Sequence, residues 1–137
     1  PMLPVFQKRS RVLAMEVVGR LREAVYRRVP RELFVDGDEG VDELIRASGG
    51  SWRDLLRLLE EALLSADQWI QSRDRTRARQ QVAQIFQRLL RSEQDLLTLA
   101  KVHLTHETLS DEVGCYLLHH RCILVYNGEG WYDIHPL

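Results

Sequence analysis

The chain has 137 residues and a mass of 16.0 kDa, with 45% hydrophobic and 28% charged side chains and a formal net charge of −1. This length and composition are typical of one globular domain and exclude the disordered, collagen-like and disulfide-scaffold classes. The near balance of charge also excludes a uniformly basic nucleic-acid binder, so only local charged patches can indicate a partner.

The first fifty residues predict two helices joined by a turn. Apolar residues recur at three- and four-residue steps over residues 10–28, which is the period of one helix face. This first helix should end before Pro30, because proline has no amide hydrogen and restricts the residue before it. Residues 35–40 are typical of a turn, and the short helix that follows should end at Gly49 and Gly50.

Ser51 is the strongest predicted helix start in the chain. Its side-chain oxygen can accept the amide hydrogen of Asp54, and the carboxylate of Asp54 would complete most of a capping box. The apolar spacing predicts that this third helix extends to Ile70, with Trp69 on its buried face.

A further helix is predicted from a cap at residues 72–74 as far as Val102. Its apolar residues keep helical spacing, with Glu93 as an interruption. The pattern allows either one long helix or a helix with a kink near Ser92.

The character of the sequence changes after Thr105. Residues 108–114 are compatible with a short helix, and aromatic and β-branched residues dominate from Cys115 onward. Two strand-like runs, residues 122–126 and 131–135, flank an Asn-Gly pair that tolerates the positive φ of a tight turn. These runs predict a β-hairpin.

The predicted fold class is therefore mainly α, a bundle of four or five helices with a C-terminal β-hairpin. We expect a single helical domain over residues 1–137, with residues 115–135 as a hairpin appendage.

Charge is segregated along the chain. Residues 1–31 carry eight basic and two acidic side chains, and residues 32–72 carry three basic and ten acidic ones. Residues 73–101 carry seven basic and three acidic side chains, and residues 102–137 carry one basic and five acidic ones. This alternation of sign favours helices that pack as neighbours with opposite charges along their seams. The same faces can instead meet a partner protein or a second copy of the chain.

No sequence motif supports catalysis, because the chain has no P-loop, no dinucleotide-binding glycine pattern and no nucleophile elbow. All five histidines and both cysteines lie in the last 35 residues, which makes a zinc site an alternative. Its ligands would be Cys115, His119, Cys122 and either His103 or His106. The spacing of these residues is not typical of zinc sites, so we expect no metal, no cofactor and no enzymatic activity.

The location of the protein is predicted from what the sequence lacks. No apolar stretch approaches the roughly 20 residues that a membrane helix needs, and no segment has the pattern of a secretory signal. Two cysteines in a chain of this size are more often reduced thiols than a scaffold. We expect a cytoplasmic or nuclear protein with no membrane partner, whose native start is Met2 because Met rarely follows Pro at a natural N-terminus.

The predicted function is a non-enzymatic protein–protein interaction module, such as a small adaptor, regulator or assembly subunit, with self-association as an option. The predicted contacts are basic residues on helix faces and aromatic residues on the hairpin: Arg27, Arg28, Arg31, Trp131 and Tyr132.

The alternative function is nucleic-acid binding through the basic helices. Phosphate contacts would come from residues 27–31 or from the arginine series Arg73, Arg75, Arg77 and Arg79.

Overall fold

A computed structural model describes residues 14–90, 93–105, 112–120, 122–126 and 131–137. The helices in these residues are α1 (Met15–Tyr26), α2 (Asp38–Ser48), α3 (Trp52–Ser65), α4 (Ser72–Leu89), α5 (Glu93–Thr105) and α6 (Glu112–His119). A 3-10 turn at Arg31–Leu33 follows α1, and the strands β1 (Ile123–Tyr126) and β2 (Trp131–Ile134) end the chain. The mainly helical fold with a C-terminal hairpin is confirmed, and the described part contains six α-helices rather than four or five.

The first helix ends where local chemistry requires. Val18, Leu21 and Val25 are buried at three- and four-residue spacing, which fixes the face that α1 turns to the core. The amide of Val29 still donates to Val25, but Pro30 has no amide hydrogen with which to continue the helix. The first four predicted helical residues, 10–13, lie outside the described residues.

The third helix is shorter than its apolar spacing predicts. It ends at Ser65, because the backbone of Ile70 is extended and pairs in parallel with Phe34. The amide of Ile70 donates to the carbonyl of Leu33 at 2.6 Å, and the amide of Val35 donates to the carbonyl of Ile70 at 3.2 Å. The expectation that Trp69 lies on a buried helix face was therefore wrong, and its side chain is exposed.

Two helix caps differ in detail from the sequence prediction. The amide of Asp54 donates to Ser51 Oγ as predicted, at 3.4 Å, whereas the Asp54 carboxylate accepts from a distant histidine. The fourth helix begins one residue earlier than expected, because Gln71 is its N-cap and donates its amide hydrogen to Asp74 Oδ2 at 2.8 Å. Asp74 also accepts from Ser65 Oγ, which joins the end of α3 to the start of α4.

The long helix predicted from residue 72 to Val102 is two helices. Helix α4 ends at Leu89 and α5 begins at Glu93, so the break falls close to the predicted kink. The hydroxyl of Tyr116 donates to the carbonyl of Leu89 at 2.7 Å. This bond satisfies one of the carbonyls that a helix leaves unpaired at its C-terminal end.

Residues 112–119 form a helix, so the start of the hairpin region at Cys115 was wrong. Val113, Tyr116 and Leu117 follow three- and four-residue steps, and Leu117 is fully buried. This is the spacing of one helix face, and it outweighs the aromatic and β-branched composition that indicated a strand.

The hairpin pairs its strands in antiparallel register, with Ile123 opposite Ile134 and Leu124 opposite Asp133. Ile123 and Leu124 are buried with the apolar residues of α1 to α4, so the hairpin belongs to the same core. The predicted turn at residues 127–130 lies outside the described residues.

At Gly49 the C-terminal part of the chain comes too close to α2 for a side chain to fit. Gly49 ends α2 with φ +63°, and an added Cβ would lie 2.7 Å from Leu124 Cδ1 and 2.9 Å from Pro136 Cδ. We expect Gly49→Ala to lower the free energy of unfolding by about 2–3 kcal/mol, measured by urea denaturation, because strain and a steric clash add.

Gly19→Ala is the matched control. Gly19 lies within α1 and a Cβ there would meet nothing within 4 Å, so this variant should raise the free energy of unfolding by about 0.5–1 kcal/mol. Equal effects of the two substitutions would contradict this account of Gly49.

Candidate functional site

The acidic residues of the segment 36–43 are paired largely within the protein. Arg22 on α1 binds Asp42 on α2 with two nitrogens on one edge of its guanidinium, through Nε to Oδ1 at 2.9 Å and Nη2 to Oδ2 at 2.6 Å. A second carboxylate, that of Asp38, lies 3.7 Å from Arg22 Nη1. Neighbouring helices thus carry opposite charges along their seam, as the segregation of charge predicts.

Arg75 is the centre of the second ion-pair group. Its side chain is buried, with Nε donating to Glu43 Oε2 at 2.8 Å and Nη2 donating to Asp36 Oδ2 at 2.7 Å. Arg79 donates to the other oxygen of Glu43 at 2.7 Å. Burial raises the pKa of Glu43, but the hydrogen bonds from the two arginines outweigh it and hold that pKa below its ordinary value. Gly40 makes room for Arg75, because a Cβ there would lie 3.0 Å from Nη1.

Tyr26 connects the end of α1 to the start of α2. Its hydroxyl donates to Asp38 Oδ1 at 2.6 Å. Partial burial, together with this hydrogen bond, raises the pKa of Tyr26 to about 12. The same bond lowers the pKa of Asp38, with a smaller contribution from nearby arginines. The Tyr26 ring is therefore fixed in place as a neutral platform.

Arg27, Arg28 and Arg31, which we call the basic edge, lie exposed around the end of α1. The guanidinium of Arg31 lies 4.5 Å from the centre of the Tyr26 ring, and that of Arg28 lies 5.4 Å from the Trp52 ring. Within the part of the chain that the structure describes, no carboxylate lies within ion-pair distance of these three side chains. The basic edge thus consists of three exposed cations, two of which lie over aromatic rings.

The structure separates the four arginines of the nucleic-acid alternative. Residues two apart on an α-helix point about 200° apart, so the series cannot share one face. Arg75 is buried and Arg79 binds Glu43, while Arg73 lies 3.5 Å from Asp67. Arg77 is exposed and lines a surface groove of 210 Å³ between α3 and α4. The helical period, applied to these positions, could have found this separation in advance.

A buried pair of Asp54 and His135 is the most enclosed polar contact that the sequence analysis missed. The two side chains are 0% and 2% exposed, and His135 Nε2 lies 3.0 Å from Asp54 Oδ2. The Leu137 amide donates to Nδ1 at 3.1 Å, which makes Nδ1 the acceptor and assigns the ring hydrogen to Nε2. Phe86 stacks against the ring with centroids 4.2 Å apart.

This histidine has no nitrogen left with which to act as a base. Nε2 donates to Asp54 and Nδ1 accepts from Leu137, so neither atom can take a proton from a nucleophile while these bonds last. The pair joins the start of α3 to the end of the chain and is a structural clamp. No signal in the sequence links two residues that are 81 positions apart.

The proposed zinc ligands do not meet in the residues that can be described. His103 lies 3.2 Å from Asp133, and His119 and His120 contact one another at the end of α6, with Tyr116 against the His120 ring. Cys122 is buried in the core. The described side chains contain no group of three or more that could hold a metal ion. His106 and the side chain of Cys115 lie outside that set.

The predicted hairpin contacts, Trp131 and Tyr132, are both in β2. Their backbones pair with Tyr126 and Val125, respectively. Their side chains lie outside the described residues, so their part in a contact stays a prediction.

Comparison with known proteins adds no family to this description. No protein-family model matches the chain, and neither curated proteins nor solved structures give a significant match. None of the helices among the described residues has the length and apolar character needed to cross a bilayer.

Proposed function

We propose that the protein is a non-enzymatic interaction module whose basic edge binds an acidic segment of another protein. One observation carries this proposal. Arg22, Arg75 and Arg79 pair with the acidic residues of α2 and the preceding turn, whereas Arg27, Arg28 and Arg31 are exposed and have no carboxylate at ion-pair distance among the described side chains.

Stacking on aromatic rings supports a role in binding carboxylates. A guanidinium that lies over a ring still donates hydrogen bonds in its own plane, so Arg28 and Arg31 can each bind a carboxylate edge-on. The rings of Trp52 and Tyr26 restrict the two side chains beforehand, which lowers the entropy lost on binding. The basic edge is therefore better prepared for a partner than three free surface arginines.

The wider proposal retains the aromatic hairpin and the absence of catalysis. Trp131 and Tyr132 are the proposed second contact, because large amphipathic rings dominate protein interfaces. The engaged ring nitrogens of His135 support a structural role for the best-formed His–Asp pair in the described part of the chain. We place this adaptor, regulator or assembly subunit in the cytoplasm or nucleus.

Nucleic acid is the competing ligand for the basic edge. The separated positions of Arg73, Arg75, Arg77 and Arg79 weaken the version based on α4, which leaves residues 27–31. Three arginines can neutralise only a few phosphates, and binding of this kind falls steeply with salt. A protein partner is favoured because three arginines offer few phosphate contacts for a nucleic acid, whereas one guanidinium is sufficient to bind one carboxylate with two hydrogen bonds.

The test is fluorescence anisotropy with two labelled probes of equal charge, a Glu- and Asp-rich peptide and a DNA duplex. We expect the peptide to bind more tightly than the duplex. The triple variant R27A/R28A/R31A should lower peptide affinity by about ten- to a hundredfold, because each ion pair that is lost contributes up to about 1 kcal/mol of binding free energy.

The variant R46A/R77A/R88A is the matched control. It removes the same number of charges from arginines that are also exposed but lie on α2 and α4. Equal losses in both triple variants would show a non-specific charge effect, and tighter binding of the duplex would favour the nucleic-acid alternative. Either result would overturn the proposal.

A further inference from the structure

Helix α5 turns an apolar face away from the rest of the molecule. Leu97 is 65% exposed and Leu104 is 80% exposed, whereas Val102 on the opposite side is buried in the core. The inner side of α5 packs against α6 and β2. Leucines exposed to this extent on one side of a helix are typical of a face that another chain covers.

Two opposite charges flank Leu97 symmetrically on this face. Glu93 precedes it by four residues and Lys101 follows it by four, so each lies about 40° to one side of Leu97 around the helix. Both side chains are exposed, and neither is in an ion pair within the described part of the chain. Ala100 lies on the same face and leaves space for a close approach of two helices.

This arrangement is complementary to itself in one orientation only. If two copies meet antiparallel with a two-fold axis beside Leu97, Glu93 of each copy lies at the height of Lys101 of the other. The interface then contains two pairs of unlike charge, one on each side of the two central Leu97 side chains. A parallel arrangement would instead place like charges together, which is unfavourable.

We propose that the outward face of α5 binds the same face of a second copy of the chain, antiparallel, with the two-fold axis beside Leu97. A pair of 13-residue helices buries less than the roughly 800 Å² per partner of a typical stable interface. The dimer is therefore weak and depends on protein concentration. This inference concerns a surface distinct from the basic edge and does not rest on the proposed function.

Sedimentation velocity over a range of concentrations tests the proposal with paired charge reversals. Glu93→Lys alone and Lys101→Glu alone should each lower the association constant about tenfold, because each places like charges opposite one another twice. An equimolar mixture of the two variants should recover wild-type association, since every contact between the two different chains is again between unlike charges.

Two leucine variants complete the experiment. Leu97→Glu should abolish the dimer, whereas Leu64→Glu should leave it unchanged, because Leu64 is at least as exposed but lies on α3. Circular dichroism checks that all variants are folded. A wild type that stays monomeric at every concentration would overturn the proposal, as would single reversals without effect or a mixture that does not recover association.

Discussion

Asp54→Ala is expected to lower the free energy of unfolding by about 3–4 kcal/mol, measured by urea denaturation. The substitution leaves the Nε2 hydrogen of His135 buried without its acceptor, and a buried donor without a partner costs about 1–3 kcal/mol. The lost carboxylate also leaves a small cavity beside α3. The last three residues should loosen as well, because the His135 ring also holds the amide of Leu137.

Two further substitutions separate the hydrogen bond from the charge. Asp54→Asn keeps an oxygen that can accept a hydrogen bond from His135. It should therefore lower the free energy of unfolding by less than half as much as Asp54→Ala. Asp67→Ala removes a carboxylate that is 91% exposed and should change stability by less than about 0.5 kcal/mol. A loss no larger for Asp54→Ala than for Asp67→Ala would refute the clamp.

Arg75→Met is expected to lower the free energy of unfolding by about 2–3 kcal/mol. Methionine keeps the apolar stem of the side chain but leaves Glu43 and Asp36 without their buried cation. Arg77→Met, two residues along the same helix, replaces an exposed arginine and should have almost no effect. Similar losses in both variants would mean that helix propensity, and not the ion pairs, determines the effect.

The stability conferred by Arg75 should depend on pH in a defined direction. The pKa of Glu43 in the folded protein is below its ordinary value of 4.5, so its contribution is present above pH 4.5 and is lost as pH falls through the lower folded value. The difference in unfolding free energy between wild type and Arg75→Met should therefore shrink below pH 4.5. A difference that stays constant down to pH 3 would contradict this linkage.

Local chemistry made several elements of the fold predictable. Pro30 ends α1, Gly49 ends α2 and Ser51 caps α3, and in each case the cause is a backbone requirement of one or two residues. The length of α3 was not predictable in this way. Its end depends on the pairing of Ile70 with Phe34, which are 36 positions apart, and periodicity contains no information about such a contact.

In the candidate site, too, the features that depend on neighbouring residues were predictable and those that depend on distant contacts were not. The basic edge was predicted because Arg27, Arg28 and Arg31 are close in sequence, whereas the rings beneath two of them were not. The burial of Arg75 was also missed, because it depends on carboxylates from another helix and the turn before it. Segment charges predicted that helices of opposite sign meet, but not which arginines pair and which stay exposed.

The division of the arginines into paired and exposed groups is the central claim, and NMR of the arginine Nε–H groups tests it most directly. Titration with the acidic peptide should shift the signals of Arg27, Arg28 and Arg31 and leave those of Arg22 and Arg75 in place. Shifts confined to Arg73 and Arg77, or no shift in the basic edge at saturating peptide, would contradict it.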